Sequence, residues 1–217
     1  MNKKIQRLLD EIESEYKYTY SMTGKSSIAP KVKQALLTVP RDKFVPKNYI
    51  NSAFYNGPLP IGHGQTISQP YIVALMTDLL ELEVDDVVLE IGTGSGYQAA
   101  ILSQLCNQVY TIEYVPALAD MARSRFKNLG YKNIECKAGN GYGGWPEHAP
   151  FDLIVVAAAP EHVPQPLIDQ LKNGGRLVIP VGRHYQKLLL IEKKQDGSTQ
   201  QHYIAPVSFV PMTGPER

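Results

Sequence analysis

The run Glu90-Ile91-Gly92-Thr93-Gly94-Ser95-Gly96-Tyr97 is the part of the chain best suited to holding a small ligand. Glycines let the backbone turn sharply and approach a guest with no Cβ in the way. A dinucleotide fingerprint needs G-x-G-x-x-G, but Tyr97 fills its third glycine position, so the spacing is G-x-G-x-G. No Gly-Lys-Ser/Thr follows, which excludes a P-loop. Glu113 stands 21 residues beyond Gly92, where a carboxylate ending the next strand is placed to accept hydrogen bonds from ribose hydroxyls. Other reactive residues form no constellation. His148, His162, His184 and His202 have no mutual metal-ligand spacing, and Cys106 and Cys136 lack a C-x-x-C pattern. No Ser-His-Asp or Cys-His pair suggests an activated nucleophile.

These residues need elements to position them. Val87–Ile91 reads as a buried strand running into the glycine turn, followed by a helix over about 97–105. Strands are expected at 108–112, near 133–137, at 153–156 and at 176–179. Helices are expected at about 116–128 and near 164–172, the latter ending at Asn173-Gly174-Gly175. Segments near 187–193 and 201–209 flank Asp196-Gly197 with no helix between them, which predicts an antiparallel hairpin at one sheet edge. Strand–helix alternation of this kind makes a doubly wound, mostly parallel α/β sheet whose ligands sit at the carboxyl ends of the strands. Before residue 84, helical signals dominate: Ile5, Leu8, Leu9 and Ile12; then Val32, Ala35 and Leu36 after Pro30; then Ile72, Leu75, Met76 and Leu79 after Pro70. Asn56-Gly57-Pro58 and Gly62-His63-Gly64 mark an irregular stretch between them.

The whole is 217 residues with 22 Lys+Arg against 21 Asp+Glu, a net charge of +1. That balance carries no overall electrostatic footprint for nucleic acid, and the thirteen tyrosines are scattered. Apolar runs fall far short of the roughly 18 residues a membrane span needs. The charged N-terminal stretch is no signal peptide. These features lead to the expectation of one cytoplasmic domain over 1–217, with a helical N-terminal extension over 1–83 and a core over 84–217. The oligomeric state stays open.

The glycine loop resembles the nucleoside-binding loop of class I S-adenosylmethionine-dependent methyltransferases, in which Glu90 would favour the cofactor's cationic amino acid end. Upstream the likeness sharpens. Val39-Pro40-Arg41-Asp42-Lys43-Phe44-Val45-Pro46 and Leu59-Pro60-Ile61-Gly62-His63-Gly64-Gln65-Thr66-Ile67-Ser68-Gln69-Pro70 resemble the signature of the protein-L-isoaspartate O-methyltransferase family, as do Gly174–Gly182 and Phe209-Val210-Pro211. The resemblance implies a seven-stranded, Rossmann-like methyltransferase sheet. It implies transfer of a methyl group from S-adenosyl-L-methionine, leaving S-adenosyl-L-homocysteine, to the α-carboxylate of L-isoaspartyl residues in damaged proteins and peptides. The ester then re-forms a succinimide that hydrolyses partly to normal aspartate. Neither nucleic acid nor a membrane is implied as partner.

The same resemblance implies Ser68 as the active-site residue. It implies Thr66, Ile67, Glu90, Gly92, Thr93, Gly94, Gly96, Glu113, Asn140 and Gly141 at the cofactor, and Gly62, His63, Gly64, Gln65 and Val210 at the substrate. No metal is implied. Where the family has Gly-Asp-Gly, this chain has Gly139-Asn140-Gly141, and Ser208 replaces a basic residue often found before Phe-Val-Pro. The chemistry is compatible with these residues. A carboxylate with a pKa near about 4 is ionised at neutral pH and needs no general base, so catalysis reduces to positioning. The Ser68 hydroxyl can orient such a carboxylate, although a serine before Gln-Pro also reads as a helix N-cap. Two other readings share these motifs: methyl transfer to RNA or a small molecule, and cofactor binding without transfer.

Overall fold

The computed structural model describes residues 3–215; Met1, Asn2, Glu216 and Arg217, the ends of the expected 1–217 domain, lie outside them. A seven-stranded sheet organises the chain. Its strands are β3 (Val87–Ile91), β4 (Gln108–Glu113), β5 (Ile134–Ala138), β6 (Phe151–Val156), β7 (Leu171–Val181), β8 (Gln186–Lys193) and β9 (Thr199–Val207), in the order β5-β4-β3-β6-β7-β8-β9. The pairs from β5 through β7 are parallel, and β7-β8-β9 are antiparallel. The chain enters the sheet at β3, winds to one side through β4 and β5, then crosses back to β6. That reversal beside β3 is the switch point at which such sheets hold ligands.

Alternation along β3 feeds two cores. Val88 packs on one face with α1 (Lys3–Thr23), α2 (Pro30–Thr38), α3 (Pro70–Leu80), α4 (Tyr97–Leu102) and α5 (Pro116–Leu129). Leu89 and Ile91 pack on the other with Trp145, Phe151 and Leu167, the last from the short helix α6 (Gln165–Asp169). Strand periodicity of two therefore sets both layers. On α1, Ile5, Leu8, Leu9, Ile12 and Tyr16 form the buried stripe. Tyr16 donates to the buried Asp78 carboxylate on α3, and Thr19 and Tyr71 share a hydrogen bond of 2.6 Å. Among the described residues no helix is long and apolar enough to cross a membrane.

Four local expectations change. The stretch around Gly62-His63-Gly64 is a hairpin, β1 (Leu59–Gly62) with β2 (Gln65–Ile67). His63 and Gly64 both have positive φ, 55° and 71°, as a two-residue type I′ turn demands. Helix α3 is buried almost all round, with Ile72 only half-buried, because it lies between the sheet and the N-terminal helices. Helix α4 stops at Leu102, where Leu105 N–H donates to the Leu102 carbonyl at 2.8 Å and tightens the chain into a turn. Asn173-Gly174-Gly175 does not end a helix but lies inside β7. A Cβ on Gly175 would come within 2.4 Å of the Asp152 carbonyl oxygen, so the glycine permits close approach at the β6–β7 register shift.

Candidate active site

Two connected cavities open at the carboxyl ends of the parallel strands. The inner cleft is narrow. Its floor is Ile91–Ser95 at the end of β3, Ile112–Tyr114 at the end of β4, and Ala157-Ala158 after β6. Gln65–Ser68 and the tail Val210–Thr213 close it from above. The tail is stitched down at Ala159, whose N–H donates to the Val210 carbonyl at 2.9 Å and whose carbonyl accepts from Met212 N–H at 2.8 Å. The outer groove, about 600 Å³, runs between α1, the 66–72 segment and residues 206–210. Thr66, Ser68, Ala157 and Val210 line both cavities and form the passage between them.

The glycine loop shapes the cleft floor through its backbone. Gly92, Gly94 and Gly96 have φ of 92°, 52° and 85°, the region that favours glycine. Gly94 N–H donates to Glu113 Oε2 at 2.7 Å, and Val115 N–H donates to Glu113 Oε1 at 2.9 Å. The carboxylate is thus fixed at the cleft wall with lone pairs to spare for a guest's hydroxyls. Gly96 caps α4 outside the cleft. A Cβ there would come within 2.6 Å of the Phe126 ring, so packing against α5 explains this glycine.

Glu90 lies beneath the loop, not on the cleft wall. It is fully buried, accepts a hydrogen bond from the Thr111 hydroxyl, and has Oε1 without a partner. Burial, aided by the nearby Glu113 charge, pushes its pKa up to about 8, which favours the neutral form at pH 7. Glu90 shares the β3 face of Val88, turned toward the helices. Thr93 reaches the cleft, but its hydroxyl turns to Thr111 Oγ1 at 2.6 Å.

Asn140 is also off the wall, leaving Gly141 there. Its side-chain oxygen accepts from Tyr142 N–H at 3.2 Å, while Nδ2 donates to the Pro215 carbonyl at 2.7 Å. The amide ties down the C-terminal tail. Gly62, His63 and Gly64 are exposed at the hairpin tip and line neither cavity; turn geometry accounts for them. Gln65, expected at the substrate, lies on the inner cleft with Thr66 and Ile67, because the hairpin's return strand points there.

Ser68 does not cap α3. Gln69 occupies that position with no side-chain hydrogen bond, and Ser68 lines both cavities. What holds Ser68 is Arg41, a residue to which the sequence reading gave no role. Fully buried, Arg41 donates from Nη2 to the Ser68 carbonyl at 2.8 Å and from Nε to the Ala53 carbonyl at 3.0 Å. Its guanidinium lies 4.7 Å from the centre of the Tyr97 ring. Burial without a carboxylate partner lowers its pKa to about 10, still well above neutrality. One buried cation therefore joins the serine segment to the helix that follows the glycine loop. An arginine inside the Val39–Pro46 motif was the available signal, but its contacts are long-range. Tyr18 and Glu15 in the groove wall had no sequence signal beyond lying on an amphipathic helix.

The lining suits a nucleoside attached to a small amino acid: a fixed carboxylate to accept from hydroxyls, Gly92 and Gly94 in the floor, and small side chains at Ala157 and Ala158. The family described as Protein-L-isoaspartate(D-aspartate) O-methyltransferase matches residues 21–217 of the chain. A protein-L-isoaspartate O-methyltransferase 2 of Syntrophobacter fumaroxidans is 53% identical over 210 residues, which span 96% of this chain and 85% of that protein. Another, from a Polaromonas species, is 52% identical and spans 95% of this chain and 99% of that protein. A solved protein-L-isoaspartate O-methyltransferase superposes with a TM-score of 0.82 at 28% identity, over 95% of this chain and 66% of its own. A Plasmodium falciparum structure in complex with S-adenosyl-L-homocysteine shares the fold with a TM-score of 0.77 at 24% identity, over 94% of this chain and 98% of its own.

Proposed function

The chain belongs to the protein-L-isoaspartate(D-aspartate) O-methyltransferase family, and from that premise we propose that its inner cleft holds S-adenosyl-L-methionine while its outer groove presents an L-isoaspartyl residue for methylation. The observation that carries this assignment is the passage: Thr66, Ser68, Ala157 and Val210 belong to both cavities, so a group held in one can meet a group held in the other. When bound, the cofactor supplies an activated methyl on a sulfonium. An ionised substrate carboxylate would take that methyl with no proton changing hands. The protein's work is then orientation and exclusion of water.

In this reading Glu113 accepts from the ribose hydroxyls, and the backbone of Gly92–Ser95 lies against the cofactor. The Ser68 hydroxyl donates to the non-attacking carboxylate oxygen, turning the other toward the passage. Arg41 holds the Ser68 backbone so that the hydroxyl keeps its aim. Both sides of residue 84 supply walls to both cavities, which supports treating 1–217 as one functional unit. Partners on this reading are damaged proteins and peptides in the cytoplasm rather than nucleic acid or membranes; the net charge of +1 is consistent with that.

A methylation assay on paired peptides tests it. An L-isoaspartyl peptide should be esterified and its L-aspartyl twin left nearly untouched. Equal turnover of the two would contradict the assignment.

A further inference from the structure

The outer groove carries one charged side chain. Among its lining residues Glu15 is the only carboxylate, and there is no lysine, arginine or histidine. Glu15 is held in place rather than free: Gln69 Nε2 donates to both of its oxygens, at 3.1 and 3.0 Å. Neighbouring acids on α1 have cations of their own, Glu11 with Arg7 and Glu13 with Lys33. No ion pair to Glu15 occurs among the described residues. Burial raises its pKa against the hydrogen bonds from Asn56 and Gln69, with a smaller push from Glu11, as befits a half-buried carboxylate with no countercharge beside it. Beside it on the groove wall is Tyr18, 84% exposed, which offers a ring face of the kind that attracts cations.

We propose that Glu15, with Tyr18, selects isoaspartyl substrates that bear a lysine or arginine two or three residues from the isoaspartyl position. The proposal rests on the outer groove being the peptide site. Its geometry follows from Gln69, which is Ser68's neighbour in sequence and Glu15's partner in space. One Cα step plus a glutamine side chain and a hydrogen bond limit the separation of Glu15 from Ser68 to on the order of 10 Å, which an extended peptide covers in two or three residues at about 3.3 Å each. A flanking cation there would meet a pre-positioned carboxylate and an aromatic face. A flanking glutamate would meet like charge. Glu15, Tyr18 and Thr19 all precede residue 21, so this wall lies outside the family-matched span.

The test is initial-rate kinetics on isoaspartyl peptides that differ only in one residue, Lys, Gln or Glu, placed two or three positions away on each side in turn. On at least one side kcat/KM should fall in the order Lys, Gln, Glu, spanning roughly five- to tenfold and carried mainly by KM, because a partly exposed ion pair is worth little more. Added salt should compress the spread. Glu15→Gln, which keeps an acceptor for Gln69, should narrow it to within about twofold, and Glu15→Lys should reverse it. Equal kcat/KM for all three peptides in the wild type, or an unchanged order in Glu15→Gln, overturns the proposal. Methylation of none of the isoaspartyl peptides would overturn the reading of the groove itself, and the proposal with it.

Discussion

The walls of the inner cleft are strand ends: Ile91, Ile112 and Val156 deliver the loops that form its floor, and parallel pairing sets their relative height. The walls of the outer groove are a helix face, a three-residue strand, and a tail after β9, brought together by side chains such as Asp78, Tyr71 and Arg41. Backbone pairing makes the first region, and long-range side-chain contacts make the second. Damage on the cleft side should therefore appear in cofactor binding and fold stability, whereas damage at the passage should appear in turnover.

The sharpest break in that division comes from Glu113→Ala. On the proposed function the substitution removes the acceptor for the guest's hydroxyls, and it strands the Gly94 and Val115 N–H groups. Charge-assisted bonds of this kind are worth about 1.5–3 kcal/mol each, so cofactor affinity measured by calorimetry should fall by roughly a hundredfold or more. Unchanged affinity would detach Glu113 from the cofactor. Next in size, Gly96→Ala combines a left-handed backbone with a ring contact of 2.6 Å. It should cost about 2–3 kcal/mol in denaturant unfolding. A neutral result would mean that Phe126 yields freely.

Glu90 gives a smaller effect with a definite sign. Its pKa is pushed from 4.5 up to about 8 in the folded protein. Between those values the folded protein keeps a proton that the unfolded chain releases, so this group's contribution to stability declines as pH rises through the window. Glu90→Gln cannot lose that proton. Its Tm should therefore gain on the wild type as pH goes from about 5 to about 8. A gap that stays constant across this range would show that Glu90 does not titrate there.

Legibility in the sequence follows the same division. Every strand of the large sheet is visible in runs such as Val87–Ile91 and Leu153–Val156, because short apolar runs bounded by turn residues are local signals. The β1–β2 hairpin is obscured by its glycines, since Gly62-His63-Gly64 reads as irregular until positive φ at His63 shows a turn. Spacing places Glu113 on the cleft wall, because a residue ending β4 can hardly be elsewhere. Motif membership is a weaker guide: Glu90 turns to the helix side of β3, and Asn140 is occupied by the tail. Glu15 and Arg41 depend on contacts 54 and 27 residues away in sequence, which no local pattern encodes.

On the proposed function the Ser68 hydroxyl positions the substrate carboxylate, and Ser68→Ala removes that hydroxyl alone. Measured at saturating cofactor on an L-isoaspartyl peptide, kcat should drop roughly ten- to a hundredfold, the worth of one hydrogen bond to a charged group. Cofactor Kd should barely change, since Glu113 and the glycine loop are untouched. Near-wild-type turnover in Ser68→Ala would contradict a positioning role for this serine.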